Sequence, residues 1–122
     1  MSDPIFDEEA IITALDVNDI DETLVARIQY GATMALVDAY DRKATHQNFV
    51  QIAQACLGLY GYAGKLQVVA SVRNAYRNGM LNDENLAVSV ENAKTLAEHS
   101  RQDVLAIARL LKQCPLSTDK VH

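Results

Sequence analysis

The chain has no tryptophan, and its 122 residues include only two prolines and two cysteines. Its aromatics are five Tyr and two Phe, so alanine and aliphatic side chains must supply most of the core, which favours closely packed helices. Cys56 and Cys114 are far apart and match no metal or redox spacing, so reduced thiols in a cytoplasm are expected. No stretch approaches the ~20 apolar residues needed to cross a bilayer. The opening Met1-Ser2-Asp3-Pro4 lacks the basic start and apolar run of a secretion signal. These absences predict a cytoplasmic protein without membrane contact.

The most uneven absence is that of acid in the middle of the chain. Asp and Glu outnumber Lys and Arg 16 to 11, yet no acid occurs between Arg42 and Asn82. Residues 1–41 hold ten acids against one base, Arg27, whereas residues 42–82 hold five bases and no acid. Such separation creates a local field that acts on encounter and partner choice rather than on fold.

Catalytic signals are missing as well. None of Glu8, Glu9, Glu22, Glu84, Glu91 and Glu98 is followed three residues later by His, as a di-iron bundle requires. His46, His99 and His122 are isolated and show no metal-ligand spacing. Glu8, Glu9 and Asp16 are the best carboxylates for a magnesium ion, although capping and a solvated face explain them more simply. No catalytic residue, metal ligand or cofactor is assigned, and a small helical enzyme with carboxylate-bound metal is kept only as an alternative.

What is present is helical periodicity almost throughout. Asp3 and Pro4 suit the start of a helix ending near Leu15, with Phe6, Ala10, Ile11, Ala14 and Leu15 on one face. Residues 16–19 break it, and Asp19 with Glu22 resembles a capping box for a second helix to about Tyr40. Thr45 caps a third, through Phe49, Ile52, Ala53, Cys56 and Leu57. Gly58, Gly61 and Gly64 then read as a turn before a fourth helix over about 62–78, because glycine inside a helix costs up to ~1 kcal/mol. A second reading continues the helix, with the glycines forming a shallow groove. Asn78-Gly79 is a helix stop.

From Asn82 onward, Leu86, Val90, Ala93, Ala97, Ser100, Val104, Ile107 and Leu111 alternate steps of four and three, a seam of heptads. Residues 83–113 form one helix, or two if the chain breaks at Glu98-His99. The expected fold is all-α, a compact bundle of four to six helices with a long C-terminal helix or helix pair. Residues 1–115 make a single domain and 116–122 a loose tail.

Function is sought on the basic segment. Lys65, Arg73 and Arg77 share one helix, and Tyr60, Tyr62 and Tyr76 are candidate contact anchors, since interfaces favour Tyr and Arg. For those tyrosines a place in the core with hydroxyls at its edge is equally open. The bases can also pair with acids of the first two helices, inside one chain or across a homodimer. Ala93, Ala97, Ser100 and Val104 form a close-packing or dimer seam. The function expected is a protein–protein interaction or regulatory module, self-associating as a dimer and binding an acidic partner surface. A nucleic-acid-binding regulator using a helix-turn-helix-like unit around Lys65 to Arg77 is the alternative, weakened by a net charge of −5.

Overall fold

The computed structural model describes residues 6–15 and 22–114. Four helices make up this part of the chain: α1 (Glu8–Leu15), α2 (Glu22–Asp41), α3 (His46–Arg77) and α4 (Asp83–Lys112). Among the described residues there is no strand. Asp3, Pro4, Asp16 and Asp19, the residues 116–122 of the expected tail, and His122 lie outside the described residues.

Side chains set most of the helix boundaries. Asp7 caps α1, its Oδ1 accepting from the Ala10 N–H at 3.0 Å, while Glu8 and Glu9 in the first turn complement the helix dipole. Thr45 Oγ1 accepts from the Asn48 N–H at 3.2 Å, and Asn82 Oδ1 from the Asn85 N–H at 2.9 Å, so both expected caps form. At the end of α3, Gly79 takes a φ of 75°. The Gly79 and Met80 N–H groups donate to the carbonyls of Tyr76 and Ala75, which is the Schellman arrangement that satisfies terminal carbonyls.

The same arrangement closes α2, where the Lys43 and Ala44 N–H groups donate to Tyr40 and Ala39. Here the left-handed position is held by Lys43, with a φ of 55°. A lysine there carries a Cβ penalty that glycine avoids. Lys43→Gly is therefore expected to stabilise the fold by about 0.5–1 kcal/mol, read as a higher midpoint of chemical denaturation. An unchanged or lower midpoint would contradict it.

α3 is the structural spine, packing along both α2 and α4, while α1 lies against α4 and α2. It runs unbroken through Gly58, Gly61 and Gly64, which corrects the turn expected there. The physical reason is tertiary. Cys56, Leu59, Tyr62, Ala63 and Leu66 are all buried across the glycines, and ~1.5–3 kcal/mol for each large buried side chain outweighs the glycine cost. No turn exists at Gly61, so the helix-turn-helix-like unit does not form. Leu57, one of the apolar positions that mark the third helix in the sequence, is 67% exposed.

Helix lengths shape what is covered. α2 has 20 residues and α3 has 32, about 30 and 48 Å at 1.5 Å per residue. The hairpin of α3 and α4 outruns its covering helix, and from Ala70 to Asn92 no residue is fully buried. α4 spans residues 83–112 without a break at His99.

Candidate functional site

The expected site residues do not form one patch. Ala93, Ala97, Ser100 and Val104 are buried inside the chain, so the heptad seam of α4 is filled by the chain's own core. Tyr62 is buried as well, and burial pushes its hydroxyl pKa up, with Arg101 opposing. Tyr60 is half-buried, its hydroxyl bonded to that of Thr33 on α2. The Tyr76 hydroxyl donates to Asp83 Oδ1 at 2.5 Å, a bond that raises its pKa and ties the end of α3 to the start of α4. Arg73 is half-buried and already takes part in an interaction. Lys65 and Arg77 are exposed.

Arg42 is not a surface base. Its Nε donates to Asp38 Oδ1 at 3.0 Å and its Nη1 to the Leu111 carbonyl at 2.9 Å. One guanidinium thus joins the last turns of α2 and α4. Of the other bases of the segment, Lys43 is exposed in the connection before α3, and Lys65, Arg73 and Arg77 lie on the acid-free helix α3 itself.

Two sides of α3 are open. At 100° per residue, Gln67, Ala70, Asn74 and Arg77 continue the side of Ile52, Cys56 and Ala63. Further back that side meets α2, where the Cys56 thiol donates to the Ala32 carbonyl at 3.3 Å. Gln67, Asn74 and Arg77 are exposed, so the same side becomes a polar, basic lane towards the end of α3. Between α3 and α4 lies a groove of about 530 Å³ lined by Lys65, Val68, Val69, Asn92, Ala93 and Leu96.

The second open side lies opposite the buried face of α3 and reaches the rim of the groove with α4 at Val68. Val50, Leu57 and Val68 are 40%, 67% and 61% exposed there, and a Cβ added to Gly61 or Gly64 would meet nothing within 4 Å. Gly58 differs, because a Cβ there would strike the Asp103 carboxylate of α4. Burial raises the Asp103 pKa, with His99 acting in the opposite direction. Sequence reasoning missed Val50, Leu57 and Val68 because each fits a core stripe as well as a surface one. The signal available was spacing: with Gly61 and Gly64 they keep steps of seven, four, three and four.

Among the described residues, no group of three His, Cys, Asp or Glu side chains gathers in a way that could hold a metal ion, and no helix is long and apolar enough to cross a membrane. Asp16, one of the three carboxylates considered for magnesium, lies outside the described residues. Cys56 is the most perturbed thiol, pushed up to about 12, first by burial and then by Asp103. Native protein at neutral pH should therefore resist alkylation at Cys56 until it unfolds, as read by mass after iodoacetamide. Rapid labelling without loss of helicity would contradict this. The folded thiol holds its proton more tightly than the unfolded one at 9.0, so its contribution to stability is complete below that pH and declines as pH rises toward 12.

In comparison with known proteins, the chain matches no family model, no curated protein and no solved structure.

Proposed function

We propose that this chain is a cytoplasmic protein–protein interaction module, a compact four-helix bundle with a long last helix, that takes an acidic partner surface on the lane formed by the end of α3. The observation that carries this reading is a 32-residue helix with no acidic residue, whose end carries Asn74 and Arg77 exposed beyond the last buried position, Val69, with Gln67 exposed on the same side just before it. An acidic segment lying there would place carboxylates against Arg77 and amide donors in the way α2 lies against the earlier part of the same side. Arg73 borders the lane and adds to its positive field. Regulation would follow from occupancy: a partner segment held on α3 is withheld from other uses.

Two protein baits test this reading. Immobilised wild-type chain and an Arg77→Glu variant are used to capture proteins from the native host, with salt elution and mass spectrometry. Acidic proteins retained by the wild type, released by added salt and lost from the variant are the expected result. Identical captured sets would overturn the proposal. Arg77 is exposed, so helicity should be unchanged by the substitution.

A further inference from the structure

We propose that the outward side of α3 is a self-complementary seam through which two copies of this chain pair as an antiparallel dimer. The seam consists of Val50, Gln54, Leu57, Gly61, Gly64, Val68, Ser71 and Ala75, successive steps of four and three. All are exposed except Ala75, which is half-buried. A 3.5-residue period held over ~37 Å is the pattern by which helices interlock with a slight left-handed crossing. Among the described residues nothing covers Val50, Leu57 and Val68, which are 40%, 67% and 61% exposed.

A second copy is the occupant because the seam is symmetric about its own middle. Counted outward from the point between Tyr62 and Ala63, Gly61 is matched by Gly64, Leu57 by Val68, Gln54 by Ser71 and Val50 by Ala75. A two-fold axis requires this: residue i of one copy meets j of the other, and j meets i. Antiparallel pairing therefore yields layers of Leu57 on Val68, polar Gln54 on Ser71, and Val50 on Ala75, each formed twice. At the centre Gly61 meets Gly64, and with no side chain on either the two backbones can approach closely. An exposed glycine pair inside a helix lowers the stability of a single chain, so close approach gives it a purpose that a solvated surface does not.

Charge agrees with the same register. No acid lies on α3, and the base nearest the seam is Lys65. Antiparallel pairing sets Lys65 of each copy opposite Tyr60 of the other, about 3 Å along the helix axis from Gly58, the residue over which Asp103 lies. That carboxylate is partly desolvated, which raises its pKa, with His99 acting in the opposite direction. The two symmetric Lys65–Asp103 approaches place opposite charges together and leave no like pair along the seam. The pairing also lays the thin end of each α3 along the broader body of the other copy. Arg77 lies on the lane, away from this seam, so the dimer does not depend on the acidic-partner reading. The self-association expected on α4 thus moves to α3, since the α4 seam is filled.

Sedimentation equilibrium over a concentration series, with circular dichroism on the same samples, tests the pairing. The wild type should sediment as two chains, and Leu57→Glu should weaken the dimer at least about a hundredfold while helicity persists. Gly61→Gln is a second disruptor. A Cβ there meets nothing within 4 Å in a single chain, and glutamine is a better helix former than glycine, so the helix should be as stable or more so while the dimer is lost. The double variant Leu57→Glu/Val68→Lys tests the register, because the two positions are three turns apart in one chain but face each other across the two-fold. Dimerisation regained in this variant at low salt supports the antiparallel seam. A wild type that stays a single chain, dimers indifferent to Leu57→Glu and Gly61→Gln, or failure of the double variant to regain pairing would each overturn it.

Discussion

Replacing Arg42 with methionine is expected to destabilise the fold by about 3–5 kcal/mol, one of the two largest single-residue losses argued from this structure. The reason lies in what the change leaves behind. Asp38 is only 6% exposed, and Arg42 Nε is its ion-pair partner at 3.0 Å. The other carboxylate oxygen, Oδ2, is buried without a hydrogen-bond partner among the described residues. Methionine keeps much of the arginine stem but removes every donor, so the buried Asp38 carboxylate would lose its partner and the Leu111 carbonyl would keep only the Cys114 N–H.

Arg42→Lys should recover only part of the loss. A single ammonium cannot reproduce a planar fork that reaches a carboxylate and a carbonyl in different directions. The double variant Arg42→Met/Asp38→Leu should be more stable than Arg42→Met alone, because the uncompensated charge is gone. Urea denaturation of the four proteins checks the series. Equal midpoints for wild type and Arg42→Met would show that the guanidinium contributes nothing.

This latch marks the boundary of what the sequence made legible. Signals confined to a few neighbouring residues were readable: Thr45 and Asn82 as caps, Gly79 as a stop, and the four-three rhythm from Leu86 to Leu111. Each depends on local geometry that one helix turn determines. Arg42 and Leu111 are 69 positions apart, and no local pattern pairs a base with a distant carbonyl. The glycine triplet misled for the related reason that local propensity opposed the fold. Helix cost is local, whereas the burial of Cys56, Leu59 and Tyr62 that overrides it depends on α2 and α4 being in place.

The candidate site divides along the same line. Charge was legible, because an acid-free run from Arg42 to Asn82 is visible in one dimension. Which bases stay exposed was not, since Arg42 is bound inward while Arg77 faces solvent at the end of a helix that outruns its neighbour. Tyr62 and the seam from Ala93 to Val104 looked as suitable for a partner as for the interior, and the core took them. Leu57 and Val68 were missed in the opposite direction. An apolar residue on a helix says that it needs cover, not whether its own chain supplies it.

Gly31→Val is expected to release α1 from the bundle and to cost about 3 kcal/mol, through a contact equally hidden in the sequence. A Cβ on Gly31 would fall inside contact distance of the Cγ1 and Cδ1 atoms of Ile11, so α1 rests almost directly on the backbone of α2. An alanine there asks only the tip of Ile11 to move, and its better helix propensity offsets part of the strain. Valine adds two more carbons and pushes the whole helix away. α1 has eight residues, too few for stability on its own, and the burial of its Ile11, Ala14 and Leu15 is what holds it. Hydrogen exchange followed by mass spectrometry should show lost protection over residues 8–15, with α3 and α4 still protected. Truncating the opposing side chain provides the control, since Ile11→Ala in the Gly31→Val background makes room for the new methyls. The double variant should then lose less than the two single losses together, a coupling that residues in contact show and distant ones do not. Unaltered protection over residues 8–15 in Gly31→Val would mean that α1 is not seated on Gly31.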